Sequence, residues 1–253
     1  MPLGKANKVT LTQGSMILFD GTSCAGKTSI CRLFCHKIEH PYHYVALDDF
    51  ITEVFEAQKQ NPLPFDEFIA TCNKLTESMY VHIGTMVHRG NNVLCDTTLT
   101  CLEDVTSTYR WFKIIKNINN VMILVYCPFD AVVKRLQQRN HHARTLNQPQ
   151  NSRITSVVLR QFDAMFKAHQ DKTEFTIDEL SRSHIEQAFE LVRDDFADAQ
   201  EFENLRTEII GKFGLCNRKR VFISPRLNYD YILNTDRYPI EDCVKIITKK
   251  LAF

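Results

Sequence analysis

The chain has 253 residues, 44% of them hydrophobic and 24% charged, with a formal net charge of +1. A chain of this length buries a full core without disulfide or metal staples, and its near-neutral charge argues against a nucleic-acid partner or a membrane surface. Nine cysteines, with no apolar leader in "MPLGKANKVT", read as reduced thiols in a cytoplasmic protein, with export lacking a cleaved signal left open.

The first apolar run, "MILFD" at 16–20, predicts a strand covered on both faces. It leads into "GTSCAGKT", Gly21 to Thr28, which fits G-x-x-x-x-G-K-[ST]. Each fixed position in that spacing has a physical task. Gly21 and Gly26 let the backbone wrap around phosphate oxygens. The N–H groups of Thr22, Ser23, Cys24, Ala25, Gly26, Lys27, Thr28 and Ser29 make an anion nest at the positive end of a helix. Lys27 is placed to reach the β- and γ-phosphates, and Thr28 to ligate Mg²⁺. An amphipathic helix follows, with Ile30, Leu33, Phe34 and Ile38 on one face. Cys31 and Cys35 lie one turn apart on it. Without further ligands at suitable spacing they read as structural thiols.

The second predicted strand, "HYVALD" at 43–48, ends in Asp48 and Asp49. In an open parallel sheet the carboxyl ends of the strands border the ligand crevice, so an acid there is placed to take a proton from an attacking hydroxyl. Asp48 continues from the strand and is the preferred base; Asp49 reads as a helix cap or supporting acid. Phe68, Ile69, Cys72, Leu75, Met79, Ile83 and Met86 predict a long helix stopped by Gly90. The third strand, "NVLCD" at 92–96, puts Asp96 at the same edge, where it suits a carboxylate on Mg²⁺, directly or through water. Val105, Tyr109 and Phe112 predict a helix after it.

The fourth strand is "VMILVYC" at 121–127, and Pro128 suits the first turn of the helix that follows. That helix carries Arg135 and Arg139 four apart, then the polar "NHHARTLNQPQN". The segment, about 137–155, reads as a mobile cationic lid, with Arg139 and Arg144 the best candidates for neutralising a transferring phosphoryl group. Between about 171 and 224 strand–helix alternation breaks down. "TIDE" at 176–179 reads as a capping box, and the stretch as a helical insertion within one domain spanning 1–253. "YDYILNT" at 229–235 and Ile240, Val244, Ile247 and Leu251 give a last strand and helix. The expected fold is α/β: a doubly wound, mostly parallel five-stranded sheet with an extra helical insertion.

Taken together, "DGTSCAGKTSI", "VALDDFI", "VLCDTTL", "CPFDAVVKRLQQRNHHAR" and the final "YDYILNTDRYPIEDCVKIITKKL" resemble the chloramphenicol phosphotransferase-like kinases, a branch of the P-loop kinases. The likeness covers roughly 14–170 and 227–251. It implies transfer of the γ-phosphoryl of ATP to a hydroxyl of a small molecule, with Mg²⁺. Asp48 would then be the general base, Lys27 and Thr28 the phosphate and magnesium handlers, and Arg139 and Arg144 the lid cations. The chain departs from the pattern in the 171–224 insertion and in 50–90, the stretch expected to shape the acceptor pocket. "LDDF" also resembles the acid of uridine and riboside kinases, which share the chemistry. A polynucleotide kinase is disfavoured by charge, and a toxin acting on a sugar nucleotide fits the broad family. A nucleotide-binding switch or pseudoenzyme is the other class, but the guanine-reading Asn-Lys-x-Asp is absent, while Lys27, Thr28, Asp48 and Asp96 are all present.

Overall fold

The computed structural model describes residues 14–38, 41–61, 63–98, 118–145 and 229–251, with short pieces between 189 and 207. The chain divides into two compact units: Met1–Gly21, Gly26–Val125 and Tyr229–Phe253 form one, Thr22–Ala25 and Tyr126–Asn228 the other.

The first unit is built on a five-stranded sheet of β1 (Ser15–Asp20), β2 (His43–Ala46), β3 (Val93–Asp96), β4 (Asn119–Tyr126, its last residue already in the second unit) and β5 (Tyr231–Asn234). The spatial order is β2-β3-β1-β4-β5. β1 pairs in parallel with β3, Phe19 opposite Asp96, and with β4; β2 pairs in parallel with β3, Ala46 opposite Asp96. All six residues of β1 are buried, as a central strand covered on both faces requires. The order puts the ends of β1 and β3 side by side where the chain changes direction of winding, the place where such sheets hold ligands.

Helices cover both faces. α1 (Lys27–Lys37) buries Ile30, Cys31 and Phe34, and the Phe34 ring meets Phe19 edge-on at 6.4 Å. α3 (Phe65–His88) buries Thr76, Met79, Tyr80, Ile83 and Val87, a helical stripe, and ends just before Gly90 at φ 86°. The helix at 240–251 (Ile240–Leu251) buries Cys243, Val244, Ile247 and Leu251 and packs on α1. Each aliphatic or aromatic side chain so buried contributes about 1.5–3 kcal/mol, which is why these stripes, more than local propensity, decide the helices.

Two boundaries differ from expectation. β2 stops at Ala46, and α2 (Leu47–Gln60) starts at once, so Asp48 and Asp49 lie in a helix's first turn and not on the strand. Neither is its cap: the cap position is Ala46, with no side-chain cap bond. Two carboxylates there suit the positive helix end without capping it.

In the second unit, α4 (Phe129–Thr145) begins directly after Pro128, whose carbonyl accepts from Val132 N–H at 2.9 Å. α4 runs through Asn140–Thr145, residues expected to open the lid as a loop. Phe129, Val132, Val133, Leu136 and Asn140 are buried along one stripe, so the polar Asn140 keeps the helical phase. Farther on, Phe202–Asn204 and Arg206–Thr207 are helical, and the Phe202 ring meets Phe189 at 5.8 Å and Phe196 at 5.5 Å. Three rings of the 171–224 stretch therefore pack together. The helix after β3, the "TIDE" box and the lid beyond Thr145 lie outside the described residues.

We number the closing helix, Ile240–Leu251, α5.

Candidate active site

The loop after β1 has the backbone its glycines allow. Gly21 sits at φ 148°, where a Cβ would fall 2.2 Å from the carbonyl oxygen of Val125 on β4, so no larger residue fits. Cys24 (φ 64°) and Gly26 (φ 99°) are left-handed, and Ala25 N–H bonds to the Thr22 carbonyl at 3.2 Å. Gly26 precedes α1 directly, so the loop opens onto a helix N-terminus. Lys27, only 8% exposed, folds back and donates from Nζ to the Gly21 carbonyl at 2.8 Å. Its charge is held over the loop, within reach of whatever anion the loop takes.

Thr28 and Asp96 meet: the Thr28 hydroxyl donates to Asp96 Oδ2 at 2.6 Å. A second hydroxyl, Tyr44 from β2, donates to the same oxygen at 3.1 Å. Burial first, and the Asp96 charge next, push the Tyr44 phenol far above its ordinary value, so it remains a protonated donor. Asp49 adds to the same shift, which places its charge near this cluster. A hydroxyl and a carboxylate are hard oxygen donors that suit Mg²⁺, which takes one or two carboxylates and completes its shell with phosphates and water. Among the described residues no group of three or more His, Cys, Asp or Glu forms an all-protein cage, and a nucleotide-borne Mg²⁺ requires none.

Asp20, fully buried at the end of β1, is a site residue that sequence reasoning missed, although it is an acid closing an apolar run. Its Oδ1 accepts the Gly21 N–H at 2.7 Å and its Oδ2 the Tyr229 hydroxyl. It therefore ties the loop's first residue to the chain entering β5. Thr97, just past Asp96, is buried against Tyr80 of α3, hydroxyl to hydroxyl at 2.8 Å, and its N–H bonds to the Phe19 carbonyl. Phe19 and Asp96 share a face by register, and Thr97 follows on the other, so α1 and α3 brace β1 and β3 from opposite sides.

Asp48 is exposed in the first turn of α2, two residues beyond the register partner of Asp96. In the second unit Arg135, half-buried, donates to the carbonyls of Cys24 at 3.4 Å and Ala25 at 3.2 Å. Arg139 is exposed on α4, and Arg144 lies in its last turn. Arg135 thus engages the loop; its i,i+4 relation to Arg139 is visible in the sequence, its partner is not.

A parallel sheet ordered 2-3-1-4-5, a glycine loop opening onto a helix, and a Thr–Asp pair beside it define a P-loop fold of the kinase type. The sequence matches the family model described as "Chloramphenicol phosphotransferase-like protein" over residues 14–192, and the chain belongs to that family. Among solved structures it is similar in fold to the Mycobacterium tuberculosis APS kinase CysC, solved in complex with AMPPNP and APS, at 13% identity and TM-score 0.50, over 96% of this chain and 100% of that one. A protein of Chloroflexus aurantiacus classed as a kinase matches at 12% identity and TM-score 0.51, over 96% and 98%. No curated protein matches the chain significantly. No helix among the described residues is long and apolar enough to cross a membrane.

Proposed function

We propose that the protein is an ATP-dependent phosphotransferase acting on a hydroxyl of a small molecule, with Mg²⁺. The observation that carries this reading is the Thr28–Asp96 hydrogen bond beside the Lys27 loop, which joins the two sequence motifs a nucleotide kinase needs. Lys27 exchanges its Gly21 carbonyl for the β- and γ-phosphates. Thr28 donates its hydroxyl hydrogen bond to Asp96 and so would turn its oxygen lone pairs toward the cation, which would supply charge neutralisation on the transferring group. Asp48, exposed at the head of α2, takes the proton of the acceptor hydroxyl as its oxygen forms the new bond to phosphorus and the bond to the ADP oxygen breaks. Arg139 and Arg144 act as the lid cations, and Arg135 steadies the loop. An acceptor of nucleoside or riboside type uses the same groups in the same roles.

The test is γ-labelled ATP with a library of hydroxyl compounds. A labelled acceptor is expected with the wild type, and Asp48→Asn is expected to lower its formation about 10²–10⁴-fold. Equal labelling by Asp48→Asn would overturn the base assignment. Nucleotide-dependent protein binding without turnover would favour a switch.

A further inference from the structure

The Asp96 carboxylate has two oxygens, and the two hydrogen bonds the structure gives it end on one. Thr28 Oγ1 and Tyr44 OH both donate to Oδ2, at 2.6 and 3.1 Å. Among the described residues no hydrogen bond ends on Oδ1. A carboxylate turns readily about its terminal torsion. With Thr28 alone as donor, the carboxylate plane can swing about that single bond. With a second donor on the same oxygen, any such swing strains both bonds.

Tyr44 is placed for this by the register of β2. Tyr44 pairs with Leu94 and Ala46 with Asp96, so Tyr44 and Asp96 share a face two residues apart. Ala46, the direct neighbour of Asp96, carries only a methyl and leaves the Tyr44 ring room to lie along the strand toward the carboxylate. The phenol is thus the tip of a rigid side chain on a strand, a better clamp than a flexible donor on a loop.

We propose that Tyr44 is a positioning residue: it locks the Asp96 carboxylate so that Oδ2 serves Thr28 while Oδ1 is presented to a divalent cation or its water. This rests on the phosphate-and-magnesium reading of the loop. Partners of this kind, once removed, typically weaken metal binding about 10–100-fold.

The test compares wild type and Tyr44→Phe, which keeps the ring and removes the hydroxyl. AMPPNP affinity is measured with Mn²⁺ and again in EDTA, and bound Mn²⁺ is counted by its EPR signal. About tenfold weaker Mn²⁺ binding is expected for Tyr44→Phe, with EDTA-arm affinity within about twofold of wild type. Unchanged Mn²⁺ binding, or an equal loss in both arms, overturns the proposal, the second result marking Tyr44 as a general packing residue. Wild type that binds AMPPNP no better with Mn²⁺ than without overturns the magnesium reading itself, and this inference with it. Asp96→Asn supplies an independent check: Tyr44→Phe added to it should cost nothing further in the Mn²⁺ arm, since the phenol acts through the carboxylate. An additive loss counts against the proposal.

Discussion

Asp20 is an unusual residue to find under a loop that binds anions. Fully buried, it would be costly as a charge if it lacked donors, and the Gly21 N–H and Tyr229 hydroxyl meet that need. Tyr229→Phe removes one of the donors to the buried carboxylate. We expect a loss of about 1–3 kcal/mol in unfolding free energy, read by urea denaturation. Asp20→Asn retains an acceptor for Gly21 and should cost less than Tyr229→Phe. The reverse order would count against this account, since Asp20→Asn keeps the Gly21 bond and changes only the charge and the Tyr229 contact. Little of this was legible in the sequence. Lys27 and Thr28 stand out through motif spacing and Asp96 through its place at the end of an apolar run, whereas Asp20, Tyr44 and Tyr229 owe their contacts to strand register and to a pairing across 209 positions. No local pattern encodes either.

At the scale of elements, what is apolar on a regular period was readable and what is polar on it was not. The five strands fall where the apolar runs lie, since both faces of the sheet are covered. α4 outran its expected end because Asn140 occupies the stripe position after Leu136, and a polar residue in phase looks like a loop. α2 began earlier than foreseen because no Ser, Thr, Asp or Asn caps it, so nothing marked Leu47 as a start. The arginines of α4 stand in different settings. Arg135 donates to the Cys24 and Ala25 carbonyls, so it shapes the loop before any ligand arrives. Arg139 is exposed, and as the proposed lid cation it would act at turnover. Arg135→Gln is therefore expected to weaken AMPPNP binding about 3–10-fold, the worth of one or two such bonds. Arg139→Gln is expected to leave AMPPNP binding unchanged and to lower kcat. Calorimetric titration beside steady-state kinetics separates the two, and equal effects on affinity would remove the distinction drawn between them.

For the whole molecule, the thiols set a limit on the alkaline side. Cys31 and Cys95 are buried in the core, and burial first, then the charge of Asp96, holds both well above the ordinary thiol value of 9.0. Cys72 on α3 is pushed up to about 11, again by burial. Burial likewise raises the Tyr80 phenol well above 10.0. In the unfolded chain these groups ionise at their ordinary values. Between pH 9 and 11 the unfolded state therefore sheds protons that the folded state keeps, and stability falls as pH rises. The contribution is whole below the unfolded thiol value and is lost on passing upward through the folded ones. Each fully buried thiol adds a slope of about 1.4 kcal/mol per pH unit in that window. Under reducing conditions the urea midpoint should hold steady from pH 7 to 8 and drop steeply from 9 to 11. Cys95→Ala, less stable at neutral pH for its lost packing, should show a shallower drop, because one proton fewer separates the two states. A slope unaltered by that substitution would mean that groups other than the core thiols govern alkaline unfolding.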